Sequence, residues 1–221
     1  MEKKQTERIR PPYGLRFLLA VLLATLIYLE IFFTAYIISY INYQGVSQGN
    51  NFISESIEYI NNVIQQGECS SDLLIESSEK LDRVGAKLGI LEKRLGKNDP
   101  RILEQKKLYS DLEIKHWGLI KKINNECEGN FATILFFYSN IDEKQDESEK
   151  MGLIIGSFKR AHIENVMVYS FDYDLKYIPI SNLKEQYNIQ NAPRVLINEE
   201  TNAYISNINE LNNIVVDSNK E

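Results

Sequence analysis

Nucleophilic, redox or metal chemistry in this chain would have to begin from two cysteines, Cys69 and Cys127, and two histidines, His116 and His162. The cysteines stand 58 positions apart, so they cannot form the paired thiols of a single-turn redox motif. Two histidines and two remote cysteines also make a poor tetrahedral zinc set. His116 lies beside Trp117 on an apolar stripe and reads as a core residue, while His162 suits the negative end of a helix. One dense acidic run, Asp142, Glu143, Asp146, Glu147 and Glu149, offers oxygens that suit a partner or a hard cation. The same carboxylates suit the positive end of a helix, and they are not nucleophiles toward disulfides. The sequence contains no glycine-rich phosphate loop and no nucleophile elbow. No catalytic, metal or cofactor-binding residue is assigned on these grounds.

The segments around the cysteines read as helix. Phe52, Ile53, Ile57, Ile60, Val63 and Ile64 give residues 51–66 a modest apolar face that ends at Gly67. Ser70, Ser71 and Asp72 are N-cap candidates for a stronger helix in which Leu74, Leu81, Leu88 and Leu95 recur every seven residues, with Val84 and Leu91 between them. Gly96-Lys97-Asn98-Asp99-Pro100 is a stop, a turn and a restart. Ile102, Tyr109, Leu112, His116, Leu119 and Ile123 then form a matching stripe. Matched stripes and a short turn predict an antiparallel hairpin whose facing residues have numbers adding to about 196. On that register Leu91 faces Gln105, Leu88 faces Leu108, Leu81 faces Lys115 and Ser77 faces Leu119. Cys69 and Cys127 meet at the open end. The expectation is a structural disulfide, with a redox-active pair or free thiols as the alternatives. Closing a loop of about 58 residues is worth roughly 4 kcal/mol in the chain-entropy treatment.

Beyond the hairpin the pattern changes. Ala132-Thr133-Ile134-Leu135-Phe136-Phe137-Tyr138 reads as a buried strand, followed by a polar turn over residues 139–147. Met151, Leu153, Ile154, Ile155 and Phe158 predict a helix over residues 148–162. Residues 166–171 read as a second strand, 181–187 as a short helix, and 192–197 as a third strand opening directly behind Pro193. A turn over 199–202, a fourth strand over 203–206 and a helix over 208–216 complete the order βαβαββα.

That order, with an X-Pro step opening the third strand, resembles the thioredoxin family across about 85 residues. The resemblance implies that Pro193 is cis and faces the mouth of the first helix, where the family carries Cys-x-x-Cys. At that place the chain reads Gln145-Asp146-Glu147-Ser148, and no cysteine follows Cys127. What the resemblance leaves is a groove for an extended peptide beside the proline, formed by Gln145, Ser148, Asn191, Ala192, Pro193 and Arg194.

At the other end, residues 17–41 are apolar except for Glu30, long enough as a helix to cross a bilayer core of about 30 Å. Lys3, Lys4, Arg8, Arg10 and Arg16 precede this run, and no Lys or Arg follows until Lys80. The positive-inside rule then predicts a single pass through the cell membrane, with residues 1–16 cytoplasmic and everything after 42 outside. A cleavable signal peptide is the competing reading, although the apolar run exceeds a typical h-region. Tyr40 and Tyr43 suit the interface. A carboxylate such as Glu30 near the bilayer centre costs roughly 2 to 3 kcal/mol on insertion scales, so it is either neutral or satisfied by another helix. Thr25 and Thr34 offer hydroxyls for self-association through the span.

Four parts result: a basic tail (1–16), a transmembrane helix (17–41), a helical hairpin stalk (42–128) and a thioredoxin-like α/β domain (129–221). The net charge is −6, and the part beyond the basic tail carries −9, which speaks against nucleic acid as a partner. Lys87, Lys93, Arg94, Lys106 and Lys107 alternate with acids and read as a solvated helix face. Two functions fit. One is a membrane-anchored, redox-inactive binding or scaffold module with a protein or peptide partner and no cofactor. The other is an extracytoplasmic thiol-disulfide oxidoreductase that works through Cys69 and Cys127.

Overall fold

The computed structural model describes residues 12–66, 69–127 and 129–218, so Lys3, Lys4, Arg8, Arg10 and Gly67 lie outside the described residues. The chain divides into two units, one ending at Ser47 and the other beginning at Gln48. The first unit is the leading stretch of helix α1 (Tyr13–Gln66), in which Tyr13–Gly45 is long and apolar enough to cross a membrane. Its Leu, Ile, Phe and Tyr side chains from Phe17 to Ile41 point outward rather than into a protein core.

The second unit holds the rest of α1 and nine further elements: α2 (Ser71–Leu95), α3 (Pro100–Glu126), β1 (Ala132–Tyr138), α4 (Asp142–Ala161), β2 (Val166–Asp172), α5 (Ile178–Gln186), β3 (Arg194–Ile197), β4 (Thr201–Ala203) and α6 (Ile208–Ser218). The strands form one mixed sheet in the order β2-β1-β3-β4. β1 runs parallel to β2 from Ala132↔Val166 to Tyr138↔Asp172, a pairing that needs a crossover, which α4 supplies. β3 is antiparallel to both β1 and β4. β1 is central and covered on both faces, which explains its nearly unbroken apolar sequence.

Alternation along β1 divides the core. Ala132, Ile134 and Phe136 face α4 and α6, where they meet Met151, Ile155, Phe158, Leu211 and Val215. Leu135 and Phe137 face the other way, onto Leu112, Trp117, Leu119 and Ile120 of α3 and Ile180 and Leu183 of α5. Ile60 and Val63 of α1 and Leu74 and Leu81 of α2 belong to this second cluster. The hairpin expected as a stalk therefore packs against the sheet and shares its core. Met167, Tyr169 and Phe171 on β2 need that cover, and the nine residues of α5 are too few to give it alone.

The hairpin itself follows its predicted register to within about three positions: Ser77 meets His116, Gly85 meets Tyr109, and Glu92 meets Lys106. Ser70 caps α2 and Asp99 caps α3, as Ser and Asp at those positions should. Gly96 ends α2 at a φ of 100°, a conformation that favours glycine. Leu108 and Lys115, expected on the seam, are exposed instead, because Tyr109, Leu112, Glu113 and His116 turn inward toward both α2 and the sheet.

Other boundaries shift for local reasons. α4 begins at Asp142, within the stretch expected as turn; the Ile141 carbonyl accepts from the amides of Lys144 and Gln145 (2.8 and 2.9 Å). Asp142 and Glu143 in its first turn complement the helix dipole. Leu153, expected in the core, is 71% exposed. α5 starts earlier than expected, with Pro179 in its first turn. β4 also comes earlier, because Asn198 and Glu199 take positive φ (49° and 65°) and reverse the chain at once.

Candidate functional site at the carboxyl end of the sheet

β1 and β2 finish side by side at Tyr138 and Asp172, and the loops that leave them meet the turn end of the hairpin. In α/β sheets, the carboxyl ends of the strands are the usual place for ligands. Here they carry a buried charge network. Lys106 on α3, only 3% exposed, places Nζ 2.6 Å from Glu92 Oε1 on α2 and 2.7 Å from Asp172 Oδ2 on β2. Asn140 Nδ2 donates to both carboxylates, at 3.3 Å to Glu92 and 2.9 Å to Asp172. The Tyr138 ring centroid lies 5.9 Å from the same ammonium. Burial, with the charges of Asp172 and Glu92, pushes the Tyr138 hydroxyl well above its ordinary value, so it stays a neutral phenol.

Around this network the surface is concave. A cavity of about 340 Å³ is lined by Lys97, Lys106, Asn140, Ile141, Asp142 and Asp174, among others. A second, of about 280 Å³, lies between α4 and the sheet, lined by Phe136, Tyr138, Asn140, Gln145, Ser148 and Glu149. Asn140 borders both. Lys97 reaches across the first cavity to donate to Gln145 Oε1 and, at 3.3 Å, to the Asn140 carbonyl. Ile141, the N-cap of α4, is 53% exposed and presents an apolar side chain at the mouth of the helix.

The predicted groove residues fall into two groups. Gln145 and Ser148 lie inside α4, one to two turns beyond its start, so the mouth of the helix is Asn140-Ile141-Asp142-Glu143. Ser148 is buried, and its Oγ accepts from the Ser139 amide at 3.0 Å. Asn191, Ala192, Pro193 and Arg194 lead into β3. The Ala192–Pro193 peptide is cis, and Ala192 and Pro193 are buried. Arg194 pairs in register with Phe137 and donates through Nε to Asn191 Oδ1 at 2.9 Å. One step along that ladder Pro193 falls beside Tyr138, the residue that lines the cavity under α4, though residues 191–194 do not line that cavity themselves.

The cysteines lie at the opposite end. Cys69 and Cys127 form a disulfide with a Cα–Cα distance of 5.6 Å, at the open base of the hairpin. They line a cavity of about 490 Å³ with Asn130, Phe131, Glu164 and Asn165, residues that precede β1 and β2. Cys69 is exposed and Cys127 half-buried.

Between the two ends, polar groups on α3 meet the sheet. His116 is fully buried, with Nε2 2.7 Å from Ser77 Oγ and Nδ1 2.8 Å from the Tyr169 hydroxyl. Because Ser77 gives its one proton to the Leu74 carbonyl (2.9 Å), His116 donates from Nε2 and accepts at Nδ1, as a neutral ring. Burial lowers its pKa to about 4. Glu113 Oε1 accepts the Ser170 amide of edge strand β2 at 2.6 Å, and Oε2 has no hydrogen-bond partner. Burial pushes this carboxyl well above its usual range, against the opposing pull of the Ser170 amide.

Glu92, Lys106, Asn140, Ile141 and Asp172 were not singled out by sequence. Lys106 in particular reads as a solvated helix charge and is instead buried. Its neighbours Gln105 and Tyr109 already mark that side of α3 as inward, and this was the available signal. Among the described residues, no group of three or more His, Cys, Asp and Glu side chains is arranged to hold a metal ion. Comparison with known proteins found no matching family model, no matching curated protein and no matching solved structure.

Proposed function

We propose that this chain is a single-pass, membrane-anchored binding or scaffold module, built on a thioredoxin-like domain outside the membrane and lacking thiol chemistry at its groove. The observation that carries the reading is the pairing of sheet and site. The order β2-β1-β3-β4 puts an X-Pro step beside the end of β1, while the adjoining helix mouth reads Asn140-Ile141-Asp142-Glu143 and both cysteines sit at the other end. The exposed Ile141 and the cavity under α4 offer an apolar contact, and the loop before β3 offers main-chain groups, which together suit an extended segment of a protein partner. The apolar stretch Tyr13–Gly45 supports the anchor, and the basic residues before it support a cytoplasmic start.

A thiol-disulfide oxidoreductase is the second reading, favoured by the exposure of Cys69 beside a cavity. In it, an incoming thiolate attacks one sulfur of the bond, forming a mixed disulfide and releasing the other cysteine as thiolate. Insulin reduction by dithiothreitol separates the two. The full-length protein is expected to leave the rate unchanged; acceleration that disappears in Cys69→Ser would reverse the order. Arg194→Glu is expected to weaken crosslinking to partners, and an unchanged pattern would remove the groove assignment.

A further inference from the structure

Glu30 sits near the middle of the apolar stretch Tyr13–Gly45, 17 residues after its start and 15 before its end. At the helical rise this is about 25 and 23 Å from the two ends. Its side chain is exposed and makes no hydrogen bond or ion pair with any described residue. The hydroxyl protons that a homotypic contact would use are already given within the helix. Thr34 donates to the Glu30 carbonyl and Thr25 to the Leu22 carbonyl, each at 2.8 Å. The sequence between Arg16 and Lys80 holds no Lys, Arg or His. A second parallel copy would therefore bring another carboxylate to the same depth and no cation to meet it.

Resting on the membrane-spanning reading, we propose that the Glu30 face of α1 docks a transmembrane helix of a different protein that carries a lysine or arginine at matching depth. Leu26, Ile27, Phe33 and Ile37, all exposed and within one to two turns of Glu30, supply the packing surface on either side. The carboxylate supplies selectivity, because charges inside a bilayer persist where they face a partner of opposite sign or water.

The test uses the full chain in phosphatidylcholine vesicles and two leucine-rich transmembrane peptides, identical except for Lys or Leu at the centre. Association is read by energy transfer. The lysine peptide is expected to associate at least tenfold more tightly than the leucine peptide. Glu30→Gln should reduce it to the leucine level, and Glu30→Lys should shift the preference to a third peptide with central Glu. Equal association of the Lys and Leu peptides overturns the proposal. So does Glu30-dependent self-association without peptide, which would make a second copy the occupant. Protease accessibility of the two flanks in the same vesicles, one cleaved and one protected if the segment spans, distinguishes the anchor from the docking contact. If the segment fails to span, the anchor reading and this proposal fall together; if it spans without lysine selectivity, only this proposal falls.

Discussion

At the amino end of β1, the Cys69–Cys127 bond closes the base of the hairpin, and Asn124 ties that base to the sheet: its amide donates to the Phe131 carbonyl (2.8 Å) while its oxygen accepts the Phe131 amide (3.1 Å). At the carboxyl end the same hairpin meets the sheet through Lys106, held between Glu92 and Asp172. One end is closed by a covalent bond and neutral hydrogen bonds, the other by charges taken out of water. Charges are a poor way to gain stability, because desolvation offsets most of the attraction and apolar residues of similar size often do as well. A second cross-link or a leucine would hold that end more simply. On the reading we propose, the polar groups gathered around Asn140 serve a binding site as well as the fold.

Breaking the charged end should have the largest effect. Lys106→Met leaves the buried Asp172 and the half-buried Glu92 without a cation, and about 3–5 kcal/mol of stability should be lost. Thermal melts should show this as a fall of roughly 10 °C. Replacing Lys106, Glu92 and Asp172 together by apolar residues should recover most of the loss while leaving partner crosslinking impaired. Breaking the stapled end should cost less: Cys69→Ser with Cys127→Ser should lose about 2–4 kcal/mol in urea titration, since Asn124 still fixes the step from α3 to β1.

The region between the ends responds to pH. His116 is neutral in the folded chain because burial lowers its pKa from 6.5 to about 4, so the unfolded chain takes up the proton first as pH falls. Its contribution is present above pH 6.5 and lost between 6.5 and about 4. Glu113 has the opposite sign. Burial raises its pKa, helped by Asp82 and opposed by Ser170, Tyr109 and Lys159, so the unfolded chain loses its proton first as pH rises above 4.5. Glu113→Gln keeps an oxygen for the Ser170 amide. It should be close to neutral at pH 4 and stabilising at pH 8; an equal effect at both, read from melts across that range, would show that Glu113 does not titrate between the states.

The smallest effect lies on α2. A Cβ at Gly85 would come 2.6 Å from the Tyr109 hydroxyl and 3.1 Å from its Cζ. Gly85→Ala should cost about 1 kcal/mol net, crowding offsetting the gain in helix propensity. In a Tyr109→Phe background it should become neutral or stabilising, a sign change that a double-mutant cycle would read directly.

The hairpin, its turn and its cysteine pairing were legible in the sequence because leucines at seven-residue spacing and a Gly-Lys-Asn-Asp-Pro stop set the register to within about three positions. β1 was legible because a central strand covered on both faces is apolar throughout. The start of α4 was hidden, since its first turns face solvent and leave only an acidic run with no periodicity to read. The packing of the hairpin onto the sheet was hidden for a different reason. The stripe on α3 shows which residues need cover, but Leu112 and His116 look the same whether α2 alone or α2 and β2 supply it. Glu113 and Lys106 were missed because a charge on a helix is ordinarily solvated, and only the neighbouring strand tells otherwise.

The two ends can be compared most directly by installing a photo-crosslinking side chain at Ile141 or, separately, at the exposed Asn130 beside the disulfide, in the full-length protein in its native membrane. Discrete adducts from position 141 that weaken with Arg194→Glu, and none from position 130, are the predicted result. Adducts from position 130 alone, with position 141 silent, would contradict it.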